Sequence, residues 1–393
     1  MKTKLYYITR SYNPYQKSGG SLMRNGAVRY LEELGWDVTV VLPNYGSDEF
    51  KIENNVILIP QTYNIKLSLY LERLGFYEDY LDTWVKEAFK YLKDKVKKDD
   101  VIFTTSGGEL GMMKLGSLLK KEIQCKFIVN FRDPLDYSLV HGIKQDSKFH
   151  VGREKQEEKY LLNSDLIITS SKTNQESLQN KYPFFKDKIK NNYFGYIKKL
   201  EIKTKEKEDS KLSVAYVGNM GALQKPEILY EIYKNLDKKE NIEIYFIGDI
   251  SLNKTLQKIK KLEDKNIIFI DFLPHNQFLE FMSKNIDVGF VSLVNDYLGA
   301  CVPSKIYEYI NLELPMIGAL PNGDGKDIIN ENYYGIACKY DDIDRLELAL
   351  KKFQNNDYLK SIKLNIQKDK EKWFMKNRII EVDEMLKGLV YAN

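Results

Sequence analysis

Short apolar runs alternate with helix-period stretches along almost the whole chain, and that rhythm restricts the fold more than any single motif. "KLYYIT" (4–9), "DVTVVL" (37–42), "NVILIP" (55–60), "DVIFTT" (100–105), "KFIVNF" (126–131) and "DLIITS" (165–170) read as buried strands. A second series follows at "LSVAYVG" (212–218), "IEIYFIG" (242–248), "NIIFID" (266–271), "IDVGFVSL" (286–293) and "LPMIGAL" (314–320). Amphipathic stretches such as "RNGAVRYLEELG" and "KPEILYEIYKNL" separate the runs, so the expected class is α/β, with parallel sheets covered by helices on both faces.

At 393 residues the chain exceeds one compact core. The charged, patternless "KKLEIKTKEKEDSK" (198–211) reads as a linker between the two series. The expected domains are therefore 1–197 and 212–372, each doubly wound and Rossmann-like, with residues 373–393 forming an amphipathic C-terminal helix that packs back on the first domain. Ligands of open parallel sheets bind at the carboxyl ends of the strands, which predicts a ligand-binding cleft where two such domains face each other.

Composition removes several other classes. A formal net charge of +4 argues against a dedicated nucleic-acid binder. Cys125, Cys301 and Cys338 stand far apart, without the spacing of a disulfide framework or zinc site, which fits a reducing cytoplasm. The start "MKTKLYYITRSYN" has no signal-peptide pattern, and nowhere do eighteen apolar residues run together. His141, His150 and His275 are dispersed and suggest no metal cluster. The "DID" at 342–344 has the spacing of a metal-diphosphate motif but precedes "RLELALKKF" and reads as a helix cap.

The polar residues that carry chemistry collect in the second half. In "GACVPSKIYEYINLELPMIG" (299–318), Pro303 and Ser304 are helix-start residues and an apolar strand follows at once. A helix entrance offers unpaired N–H groups and the positive end of the macrodipole, so with Lys305 beside it this is an anion site. In "VAYVGNMGALQKPEIL" (214–229), a strand ends at Gly218, turns through Asn219 and Gly221, and leads to a helix expected near Lys225 and Pro226. Ser304 and Glu308 are four apart and share a helix face. One carboxylate with two acceptor oxygens suits the paired hydroxyls of a ribose, while lysines and helix N–H groups suit a diphosphate. Together these residues describe a nucleotide site.

"GNMGALQKP", "DFLPHNQFLEFMSKNIDVGFVSL", "VPSKIYEYINLELPMIG" and "DIINENYYGIACKYDDIDRLELAL" resemble, in order and spacing, the donor-binding half of retaining family-four glycosyltransferases of the GT-B fold. "SGGSLMRNGAVRYLEELGWDVTVV", "VNFRDP" and "EEKYLLNSDLIITSS" are similar to the acceptor half of the same family. The resemblance implies transfer of a sugar from a nucleotide-diphosphate sugar, UDP- or GDP-linked, to a carbohydrate or lipid-linked acceptor, with retention and without a metal or other cofactor. Surface-polysaccharide synthesis is the setting it suggests, with peripheral contact at the inner face of a membrane. It assigns Glu308 to the ribose hydroxyls, Lys225 to the donor phosphates, and Pro303, Ser304 and Lys305 to the diphosphate at the helix entrance. Gly19 and Gly20 match a first-domain loop near donor phosphate and acceptor. Two departures stand out: Asn219 replaces a frequent arginine, and Ala300 replaces a frequent glutamate eight positions before Glu308.

On the acceptor side, "FRDP" (131–134) ends a first-domain strand. Asp133 is placed to orient an acceptor hydroxyl or take its proton and Arg132 to hold an anionic group, while a structural ion pair or helix cap explains the two equally well. Glu109, after "TTSGG", is a further acceptor-side candidate that also suits capping the next helix. A nucleotide-sugar 2-epimerase and a non-catalytic nucleotide-sugar-binding subunit would use the same architecture. An oxidoreductase is disfavoured, because "SYNPYQKSGG" is no compact dinucleotide turn after the first strand.

Overall fold

The computed structural model describes residues 3–16, 19–61, 64–200 and 211–391. It divides into two compact units, Met1–Ile197 with Met375–Asn393, and Lys198–Phe374. Most of the stretch read as a linker, residues 201–210, lies outside the described residues.

The first unit is built on strands β1 (Lys4–Ile8), β2 (Asp37–Tyr45), β3 (Lys51–Glu53), β4 (Val56–Gln61), β5 (Val101–Gly107), β6 (Lys126–Asp133), β7 (Leu166–Thr169) and β8 (Ile189–Asn191). Their order across the sheet is β3-β4-β2-β1-β5-β6-β7-β8, and every pair is parallel except β3 with β4. The crossovers carry α1 (Gly19–Glu33), α2 (Ile65–Arg73), α3 (Asp82–Leu92), α4 (Gly111–Ile123), α5 (Lys148–Leu162) and α6 (Lys172–Lys181). Central strands begin with apolar runs because both faces are covered: all seven residues of β5 are buried, Val101, Ile102 and Phe103 first among them. Trp84, Leu92, Met112, Leu115 and Phe127 join them in one core.

The second unit uses β9 (Leu212–Val217), β10 (Ile242–Ile247), β11 (Ile267–Ile270), β12 (Val288–Ser292), β13 (Met316–Ala319) and β14 (Gly335–Cys338), all parallel and ordered β11-β10-β9-β12-β13-β14. Val214 of β9 stands in register with Ile244 on one side and Val288 on the other. The strand order therefore reverses between β9 and β12, the position at which doubly wound sheets receive ligands. Helices α7 (Ile228–Lys234), α8 (Lys254–Lys260), α9 (His275–Asn285), α10 (Ser304–Asn311), α11 (Asp324–Glu331), α12 (Ile343–Phe353) and α13 (Asn356–Asp369) complete the unit.

Helix α14 (Met375–Tyr391) belongs to the first unit. The Met375 N–H donates to the Tyr196 carbonyl at 3.0 Å. The buried Trp36 indole donates to the Asp383 carboxylate at 2.8 Å. Gly26 of α1 leaves the space that Met375 fills, since a Cβ there would stand 2.6 Å from its sulfur. The C-terminal helix expected from residue 373 begins later, because Trp373 lies in a 3-10 turn and Phe374 is extended. Among the described residues no helix is long and apolar enough to cross a membrane.

Candidate functional site

Helix α10 is held by its apolar face. Ile306, Tyr307, Tyr309 and Ile310 are buried, and the Tyr309 hydroxyl donates to the Phe290 carbonyl of β12 at 3.1 Å. Gly289 allows that contact, because a Cβ there would meet the Tyr309 ring at 2.5 Å. The opposite face presents Ser304, Lys305 and Glu308. Pro303 is the N-cap residue and supplies no side-chain hydrogen bond; its carbonyl accepts from the Ile306 N–H at 3.0 Å, so the Ser304 and Lys305 N–H groups are left to another acceptor.

The turn after β9 closes on the same helix entrance. Gly218 has a φ of +101°, and a Cβ there would lie 3.1 Å from Cε and Nζ of Lys305. Gly218 is thus required both by its backbone and by the close approach of the lysine. The Tyr216 hydroxyl donates to the Asn219 carbonyl at 2.6 Å, and Asn219 Oδ1 accepts from the Gly221 N–H at 3.0 Å. The Val294 N–H donates to the Leu223 carbonyl at 2.9 Å, which pins the turn to the segment following β12. These contacts set Gly218, Asn219, Pro303, Ser304 and Lys305 around the point where the strand order reverses.

Lys225 lies outside any helix. Sequence spacing starts a helix near Lys225 and Pro226, but α7 begins at Ile228. The residue before a proline avoids the right-handed helical region, and Lys225 takes a left-handed backbone with φ of +38°. Its N–H donates to the Gly221 carbonyl at 3.0 Å, so Lys225 closes the β9 turn.

Among the described residues neither lysine pairs with a carboxylate. Lys305 Nζ sits 5.3 Å from the centre of the Tyr216 ring. Lys305 keeps intermediate exposure overall, yet desolvation of its ammonium lowers its pKa to about 8. An unpaired, desolvated cation beside free helix N–H groups gains most from a bound anion.

Glu308 has a partner that sequence spacing does not reveal. His275, the first residue of α9, places Nε2 3.3 Å from Glu308 Oε1, and this hydrogen bond raises the His275 pKa. A raised histidine pKa stabilises the fold below the ordinary histidine value, and the contribution is lost as pH rises through the raised one. The His275 side chain is 43% exposed, so the pair adds little stability and leaves the carboxylate open to exchange its partner for a hydroxyl ligand.

Asp342 Oδ1 accepts from the Arg345 N–H at 3.3 Å and caps α12, as the sequence suggests. Ala300 ends a 3-10 turn over Asp296–Ala300.

In the first unit, Gly19 and Gly20 open α1, and the Gly20 α-carbon lies against Arg132, whose guanidinium any Cβ would overlap. Arg132 and Asp133 end β6, and no ion pair joins either to another described residue. Asp133 Oδ2 lies 3.3 Å, and Glu109 Oε2 3.4 Å, from where a Gly107 Cβ would stand, so the two carboxylates approach the same glycine. Glu109 does not cap α4. It accepts from the Gly107 N–H at 2.9 Å and faces Arg10 at 3.6 Å, while Asp79 takes the Leu110 N–H at 2.7 Å.

The family model of glycosyl transferases group 1 matches residues 198–372, which spans the β9 turn, α9 and α10. Over its length the second unit is thus similar to a group 1 glycosyltransferase domain. Solved structures resembling the whole chain include the lipopolysaccharide outer core galactosyltransferase WaaB in its apo form. It has a TM-score of 0.67 at 12% identity, covering 98% of this chain and 99% of that one. Anabaena HepE in complex with UDP gives 0.68 at 12% identity, covering 98% and 99%. WaaG, a glycosyltransferase involved in lipopolysaccharide biosynthesis, gives 0.65 at 13% identity, covering 98% and 100%. At such identities these structures establish a shared fold, the GT-B architecture. No curated protein matches the sequence. The matched region holds every candidate donor residue from Gly218 to Glu308, whereas Gly19, Gly20, Glu109, Arg132 and Asp133 lie in the first unit.

Proposed function

We propose that the protein transfers a sugar from a nucleotide-diphosphate sugar to a hydroxyl acceptor with retention of configuration, in the synthesis of a surface glycan. The observation that carries the reading is the convergence of Lys305, the α10 entrance and Gly218 at the strand-order reversal of a group 1 glycosyltransferase domain. In this reading the first-turn N–H groups of α10, Lys305 and Lys225 hold the diphosphate, and Glu308 accepts from the ribose hydroxyls. The leaving diphosphate gains negative charge as its bond to the sugar breaks, and fixed dipoles and cations stabilise that charge without reorganising. Asp133 takes or orients the proton of the attacking hydroxyl. The UDP bound by HepE and the galactosyl transfer named for WaaB support a nucleotide-sugar donor.

Incubation with labelled UDP- and GDP-sugars and a panel of soluble and lipid-linked acceptors tests this directly. The expected products are free nucleoside diphosphate and a glycoside of unchanged anomeric configuration, formed equally well after treatment with a chelator. An isomerised donor would replace the reading with epimerisation, and binding without turnover would leave only a sugar-nucleotide receptor. Chelator loss restored by manganese would overturn the metal-independent mechanism.

A further inference from the structure

The first unit contains a second electropositive cluster that the donor reading does not use. Arg24, on α1, is 4% exposed. Its Nη1 donates to Ser11 Oγ at 2.6 Å, while Nε and Nη2 are buried with no acceptor. A buried guanidinium with two unmet donors is costly unless a ligand supplies the missing acceptors.

Two more guanidiniums stand near it. Arg132 lies against the Gly20 α-carbon, and Arg10 extends from the carboxyl end of β1, with Nη2 3.4 Å from the point where a Gly107 Cβ would stand. The Arg24 pKa is pushed down to about 10, first by burial and then by repulsion from Arg132 and Arg10. Glu109, 3% exposed, anchors Arg10 through Oε2 at 3.6 Å, and its Oε1 is itself buried without a donor. Arg10 meets Glu109 and approaches the same Gly107 as Asp133, and with Arg24 and Arg132 within electrostatic range the group is net positive. The cluster sits at the carboxyl ends of β1 and β5, where this sheet reverses its strand order.

We propose that Arg10, Arg24 and Arg132 form a phosphoryl-binding site, so that the acceptor is an anionic, phosphate-bearing molecule. Guanidinium forks match phosphoryl oxygens in pairs, and the orphaned Arg24 donors are already desolvated for that contact. Glu109 holds Arg10 in place as a positioning residue. Asp133 then stands beside the bound acceptor, where the proposed transfer needs its base. The inference rests on the proposed function for the word acceptor, but the anion site itself does not depend on it.

Calorimetric titration of the full chain with inorganic phosphate, in the presence of saturating UDP, tests the site. One phosphate per chain is expected, weakened about tenfold or more by Arg24→Met and severalfold by Arg10→Gln, and unaffected by Lys305→Met. Thermal unfolding of each variant checks its folding. If Arg24→Met does not fold, the half-buried Arg10→Gln variant carries the comparison. No phosphate binding, equal affinity in the arginine variants, or complete displacement of phosphate by UDP would each overturn the proposal. Failure of UDP itself to bind would count against the donor reading instead, and the phosphate titration would remain readable without it.

Discussion

Replacing Glu308 by alanine is expected to lower kcat/KM by about 30- to 900-fold, or about 2–4 kcal/mol, because one carboxylate would lose both ribose hydroxyls and leave them desolvated without acceptors. The folded protein should hardly register the change. Among the described residues the side-chain partner of Glu308 is the 43% exposed His275, and an ion pair of that exposure is worth about 0–1 kcal/mol. A large kinetic loss with an unchanged Tm therefore separates a binding role from a structural one. Steady-state kinetics with varied donor, alongside thermal unfolding of the same preparations, makes the comparison. Unchanged kinetics would remove the ribose assignment, and parallel losses of rate and stability would make Glu308 a packing residue.

Lys305→Met should cost about 10²-fold in kcat, the usual consequence of deleting one preorganised partner of a developing negative charge. It should also abolish a proton signal. Free Lys305 titrates near 8, so at about pH 8.5 much of it is neutral, and a diphosphate placed against it restores the charge. UDP binding to the wild-type protein should then take up a proton and weaken as pH rises through about 8. Calorimetry in two buffers of different ionisation enthalpy reads that proton. The sign for stability is the reverse of the histidine case: between about 8 and the ordinary lysine value of 10.5 the unfolded chain binds more protons, so wild-type stability rises with pH across that window. Lys305→Met should flatten the rise. A proton uptake that survives the substitution would place the titrating group elsewhere.

The two sheets were legible because strands covered on both faces carry runs of apolar residues, as β5, β6, β9 and β12 do. The strands that escaped are short edge elements. β3 has three exposed residues, Lys51, Ile52 and Glu53, added antiparallel to β4, β8 has only Ile189, Lys190 and Asn191, and β14 only the four residues Gly335–Cys338 beside β13. Such segments owe their conformation to the neighbour they pair with, which no local period records. Helix α10 was legible at both levels, since Pro303 and Ser304 mark its start and Ile306 and Ile310 its buried face. The start of α7 is not, because Pro226 reads as a helix-start residue, whereas it excludes Lys225 from a helix and α7 begins at Ile228.

Long-range chemistry is the larger omission. The His275–Glu308 pair joins residues 33 apart in sequence, and nothing in "LPHNQFLEF" marks the imidazole as a carboxylate's partner. Arg24 lies in a stretch that reads as an ordinary amphipathic helix, where an arginine is expected to be solvated, yet the fold buries it. Its signal would have been visible only as an arginine on the apolar face, beside Met23, Ala27 and Val28.

A crystal structure of the protein soaked with UDP tests the central claim most directly. The account predicts the diphosphate at the entrance of α10, within hydrogen-bond reach of Lys305, Lys225 and the first-turn N–H groups, with the ribose hydroxyls on Glu308 and His275 displaced. UDP bound away from α10 and the β9 turn, or no UDP at millimolar concentration, would contradict it.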